Sequence, residues 1–154
     1  MLRNKRSRRV LAALGGVLML AGAGTTGTAL AADFHAMLNG DNMTPPGDTD
    51  GWGRVRITID DTLNRLCADL EVRSISEVTS AHIYRGGTGE KGAPVVRLER
   101  PDDDDSFDCW TIGDELADEI QANPAAFYVG VNTSEFPEGA IRGQVGPGTP
   151  READ

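Results

Sequence analysis

Two neighbouring segments with strict period-2 alternation constrain this chain more than anything else in it. Gly53–Asp60 reads GRVRITID, with Val55, Ile57 and Ile59 on one side and Arg54, Arg56 and Thr58 on the other. Leu66–Val72 reads LCADLEV, with Leu66, Ala68, Leu70 and Val72 on one side and Cys67, Asp69 and Glu71 on the other. A repeat of two is that of a half-buried strand in an antiparallel sheet; no helix can bury such a row. The inward rows are odd-numbered on the first strand and even-numbered on the second. Opposed residues must therefore sum to an odd number, or one apolar row would face water. A sum of 125 puts Asp61-Thr62-Leu63-Asn64 in the turn, Arg56 opposite Asp69 and Arg54 opposite Glu71. These charges then read as cross-strand pairs decorating the sheet, each contributing roughly 0.2–1 kcal/mol.

The rest of the chain follows the same style. Asp33–Gly40, Val78–Tyr84, Ala93–Leu98, Phe107–Ile112, Phe127–Thr133 and Ala140–Val145 are further strand candidates between Gly, Pro, Asp and Asn clusters. Asn42–Gly51 is a loop, and Gly86-Gly87-Thr88-Gly89 is a turn rather than a phosphate loop, because no Gly-Lys-Ser/Thr follows. Asp114–Asn123 is the one short helix, with Thr111 or Asp114 as cap, an apolar face of Leu116, Ala117 and Ile120, and Pro124 after its end. The expected fold is all-β, an antiparallel Greek-key β-sandwich, immunoglobulin-like or Cu/Zn superoxide dismutase-like, with one short helix. Residues 147–154, rich in Gly and Pro, read as a disordered tail.

The first 32 residues read as a signal peptide. MLRNKRSRR carries five of the 15 basic residues; residues 10–24 are apolar and uncharged; TTGTALAA ends in an A-x-A arrangement at Ala29 and Ala31. The apolar run is 15 residues long, short of the ~20 that span a bilayer, which weighs against a retained anchor. Ser7-Arg8-Arg9 hints at twin-arginine export, although adjacent arginines also occur in ordinary leaders. Cleavage near Ala31 or Ala32 leaves about 122 residues without a membrane span, periplasmic or extracellular. Ten cations then face 24 acids, taking the net charge from −9 to −14. Such a chain repels nucleic acid and suits solvent, a cationic partner or divalent cations.

Several segments together resemble the chordin-type (CHRD) domain. Phe34-x-Ala36-x-Leu38-x-Gly40 resembles its opening strand. Ala81-His82-Ile83-x-x-Gly86 resembles its A-H-I-H-x-G, and Gly92-Ala93-Pro94-Val95-Val96-x-Leu98 the G-x-P-V-V-x-L that follows. Phe127-Tyr128-Val129-x-Val131-Asn132-Thr133 resembles Y-V-N-V-H-T. Phe136-Pro137-x-Gly139-x-Ile141-Arg142-Gly143-Gln144-Val145 resembles F-P-x-G-E-I-R-G-Q-L, the most specific block. The resemblance implies a secreted β-rich domain over residues 33–146, with no general enzymatic activity. It implies a binding or structural module of the envelope or extracellular space, whose partner is an unidentified protein or envelope component. In the family pattern two histidines at i and i+2 share one strand face, a metal-chelating arrangement resembling copper/zinc superoxide dismutase. Here Tyr84 replaces the second, Asn132 replaces the later His, and Ala140 stands in place of Glu. Phenol and amide are poor copper or zinc ligands, so no cofactor is expected, with copper, zinc or calcium as the alternatives.

His82, Tyr84, Asn132 and Arg142 are the ligand-binding candidates. Alternation puts Ala81 and Ile83 in the core and His82 and Tyr84 on the opposite face; likewise Asn132 lies opposite Phe127, Val129 and Val131. The cluster reads as a ligand or metal site centred on His82, or as a hydrogen-bonded structural network. Asp102, Asp103, Asp104, Asp105 and Asp108 offer oxygen ligands for calcium, without the alternating spacing of a calcium loop, or form a solvated turn. Cys67 and Cys109, an even pair in an exported chain, suggest a cross-sheet disulfide, with two separate thiols as the alternative. Trp52 and Trp110 read as core residues, with a binding face as the other possibility. No G-x-S-x-G or H-E-x-x-H is present, so the chain is expected not to be an enzyme.

Overall fold

The computed structural model describes residues 31–148. The expected signal peptide up to residue 30 and the expected tail from residue 149 lie outside the described residues. The chain forms β1 (Ala32–Asn39), β2 (Trp52–Asp60), β3 (Arg65–Arg73), β4 (Val78–Arg85), β5 (Pro94–Leu98), β6 (Asp105–Thr111), α1 (Asp114–Ala122), β7 (Phe127–Thr133), β8 (Ile141–Gln144) and β9 (Gly146–Pro147). All strand pairings are antiparallel. They run in the order β5-β4-β7-β8-β1-β2-β3-β6, with β9 also on β1. The domain is thus an all-β antiparallel sheet, nearly closed and barrel-like, with one α-helix. Among the described residues, no helix is long and apolar enough to cross a membrane.

The β2–β3 hairpin has the register that parity predicts. Trp52 pairs with Arg73, Arg54 with Glu71, Arg56 with Asp69 and Asp60 with Arg65. Val55, Ile57 and Ile59 meet Leu66, Ala68, Leu70 and Val72 in the core. On the open face Glu71 takes both Arg54 and Arg73, the latter at 2.7 Å. The expected Arg54–Glu71 pair forms and Arg73 joins it, whereas Arg56 and Asp69 are opposed without an ion pair among the described residues.

Where two separate sheets were expected, hydrogen bonding runs unbroken across a thin junction. Asn39 of β1 pairs with Arg142 of β8, while Phe34 and His35 pair with Pro147 and Gly146 of β9. Gly143 makes this approach possible, since a Cβ there would lie 2.2 Å from the Met37 carbonyl oxygen. Inward residues of both halves, from Phe34 and Ile57 to Ile83, Phe127 and Ile141, share one core.

Several expectations are corrected. The disulfide Cys67–Cys109 forms, but within one sheet, between directly opposed residues of β3 and β6. The expected tail is ordered at its start: β9 includes Pro147, and the Gly148 N–H donates to the Asp33 carbonyl at 2.8 Å. The cap of α1 is Gly113, not Thr111 or Asp114, and no side chain caps it. Its acids at Asp114 and Glu115 still suit the N-terminal dipole. Trp52 is 42% exposed on the outer face, while Trp110 packs partly against the core.

Candidate functional site

The outer face of β4, β7 and β8 carries the predicted cluster. Core-facing Ile83, Val129, Val131 and Ile141 are fully buried. The residues between them turn outward, and the register sets them in rows. Tyr84, Tyr128 and Gln144 lie opposite one another across the three strands, and so do His82, Gly130 and Arg142. Loops then cover this face, so β7 is buried almost throughout.

Arg142 organises the cover. Its guanidinium lies 3.5 Å above the centroid of the Tyr128 ring, a cation–π contact. It donates from Nη1 to the Glu90 carbonyl and from Nη2 to the Gly87 carbonyl, both at 2.6 Å, fixing the loop between β4 and β5. Tyr128 stacks on Tyr84 at 4.9 Å between centroids, with planes 8° apart. The Tyr128 hydroxyl accepts the Gly92 N–H at 3.3 Å. Gln144 Nε2 donates to the carbonyls of Gly86, Ala125 and Phe127. Asn132 Nδ2 donates to the Pro137 carbonyl at 3.0 Å, tying β7 to the turn before β8.

These groups enclose an open cavity of about 180 Å³ lined by Tyr84, Tyr128, Asn132 and Arg142 with Met43, Lys91, Glu138 and Ile141. Gly130 forms part of its floor; a Cβ there would stand 3.0 Å from Tyr84 Cε2. Three of the four predicted residues therefore line one cavity. His82 sits beside it, 5.6 Å from the Tyr84 ring. Its Nδ1 is sealed from solvent without a hydrogen-bond partner. Burial and then the nearby Arg97 charge lower the His82 pKa. Burial and Tyr128 raise that of Tyr84, and burial lowers that of Arg142.

Of the calcium candidates, Asp102 to Asp105 lie in one turn, and Asp108 stands on β6. Asp102 and Asp105 form a bridge closing a tight turn, with Asp103 and Asp104 at φ of 52° and 80°. The Asp104 carboxylate lies 3.7 Å from Arg73, and Asp108 accepts the Cys109 N–H at 2.7 Å. Among the described residues no three His, Cys, Asp or Glu side chains gather as a metal site. His35 lies apart, its Nδ1 3.0 Å from the Gly148 carbonyl oxygen. Sequence reasoning missed Tyr128 and Gly130 as site residues. Position gave their signal: both alternate outward on the same strand as Asn132.

The CHRD domain model matches residues 34–145. The chain belongs to the CHRD-domain family. No curated protein and no solved structure matches it. The CHRD segments with Ala81-His82-Ile83, with Phe127–Thr133 and with Ile141-Arg142-Gly143-Gln144 occupy β4, β7 and β8. Separate in sequence, they meet around the cavity. The opening CHRD segment supplies the inward row Phe34, Ala36 and Leu38 of β1.

Proposed function

We propose that this CHRD domain is an exported, non-enzymatic binding or structural module of the cell envelope or extracellular space. In this reading the β4–β7–β8 cavity faces the partner. The observation that carries it is how the cavity spends its polar groups. Arg142 and Asn132 donate to the chain's own carbonyls, and Tyr128 accepts a backbone N–H. Such bonds hold a shape; a catalytic set would instead couple a nucleophile to a base. The Cys67–Cys109 disulfide and the leader pattern of residues 1–32 support export. In the same reading the thin β1–β8 junction divides the strands into two facing halves, a Greek-key sandwich in the immunoglobulin or superoxide dismutase manner.

Two measurements test this. Intact mass of protein from cell fractions should begin near Ala32 or Asp33, outside the cytoplasm. Purified protein, screened against ester, phosphate, glycoside and peptide substrates and against superoxide, should show no turnover above a heat-inactivated control. Reproducible turnover lost on Tyr84→Phe or Asn132→Ala overturns the reading.

A further inference from the structure

Among the described residues, Arg142 makes no direct ion pair; the ion pairs are made by Arg54, Arg73 and Arg85. Arg142 is 6% exposed. A buried guanidinium held only by carbonyl dipoles and a ring is costly unless an anion reaches it. Two of its five N–H groups meet the Glu90 and Gly87 carbonyls. Its Nε meets no protein acceptor, yet it is not among the sealed unpartnered atoms, which are Ser76 Oγ and His82 Nδ1. That nitrogen is therefore not sealed, and Arg142 lines the cavity.

The Glu90 charge favours the Arg142 cation without forming an ion pair with it. The Glu90 carboxylate accepts the Gly87 N–H at 2.8 Å, and Glu138 is exposed at the rim. Lys91, also exposed, places a second cation at the mouth. The walls include two tyrosine rings, Met43 and Ile141, with Thr44 and Asn132 as further polar groups.

We infer that this cavity binds a carboxylate carried on a small planar apolar group, the carboxylate meeting Arg142 and the apolar group lying against Tyr84, Met43 and Ile141. The inference rests on the binding-module reading and names the ligand chemistry of that site. A guanidinium fork suits a carboxylate, and the apolar walls suit one charge on an apolar body better than a phosphate dianion. Two sources carry this chemistry: a free aromatic acid, or the C-terminus of a peptide ending in an aromatic residue.

Calorimetric titration of the purified protein separates them. The probes are benzoate against benzamide, a tetrapeptide ending in free Phe against its amide, and phenyl phosphate. Either acid should bind about tenfold or more tightly than its uncharged counterpart. Arg142→Gln should remove the difference. Preference for benzoate identifies a free acid, and preference for the peptide acid alone identifies a chain terminus; both support the inference. The benzoate–benzamide contrast uses the unaltered protein, so it stands whether or not the variant folds. Acids that bind no better than their uncharged counterparts, or phenyl phosphate binding more tightly than both acids, overturn the inference. Neither result touches the turnover screen, which judges the module reading separately.

Discussion

Arg142 braces the loop between β4 and β5 through two carbonyls and covers the Tyr128 ring. Removing it frees two carbonyls and uncovers the Tyr128 ring. Arg142→Gln should cost about 3 kcal/mol in urea unfolding. Arg56→Ala, on the open face, should cost under about 0.5 kcal/mol. Equal costs would mean that Arg142 braces nothing. Glycines divide similarly. At Gly143 a Cβ meets the Met37 carbonyl oxygen at 2.2 Å, and backbone cannot yield; Gly143→Ala should prevent folding or cost more than about 4 kcal/mol. At Gly130 the neighbour is a tyrosine ring edge at 3.0 Å, which can shift, so Gly130→Ala should cost about 1–2 kcal/mol. His82 gives a pH prediction. Its folded pKa is lowered below the ordinary 6.5 by burial and then by Arg97. Between the lowered value and 6.5 the unfolded chain binds more protons, so this contribution falls with acidification. His82→Asn should flatten the decline in stability as pH drops below 6.5; an unchanged slope would contradict it.

At the scale of elements, the hairpin was the most legible part. Its register follows from parity alone, because a slip of one residue would turn a whole apolar row to water. The helix was legible from its acids, apolar face and Pro124. Its cap was not, since Gly113 offers no side chain to recognise. β9 was illegible because two residues carry no periodicity; its pairing with β1 and the Gly148–Asp33 hydrogen bond hold it. The outward face of β4 and β7 was predicted, placing His82, Tyr84 and Asn132 together. The lining of the cavity by Met43 and Lys91 was not, because it depends on loops returning over the sheet. The disulfide was expected between sheets, and the β3–β6 pairing brings it into one. It staples an edge strand across a separation of 42 residues. The chain-entropy model assigns such a loop about 4 kcal/mol. Replacing both cysteines by Ala should lower stability by about that much and speed amide exchange in β6 most. Loss spread evenly over all strands would contradict the edge-staple account.

Taken whole, the CHRD domain sets a sheet decorated with charge against a second face roofed by loops. The first carries Arg54, Arg73 and Glu71 with exposed Trp52 and, on β6, Phe107, which is 68% exposed. The second hides an arginine, two tyrosines and a cavity. In the proposed reading, the roofed face meets the partner. Amide hydrogen exchange tests it most directly, comparing purified protein alone with protein in a soluble envelope and extracellular extract. Exchange should slow in residues 84–92, 128–132 and 138–142, with β2 and β3 unchanged. Protection confined to β2, β3 and β6, or none around the cavity, would contradict it.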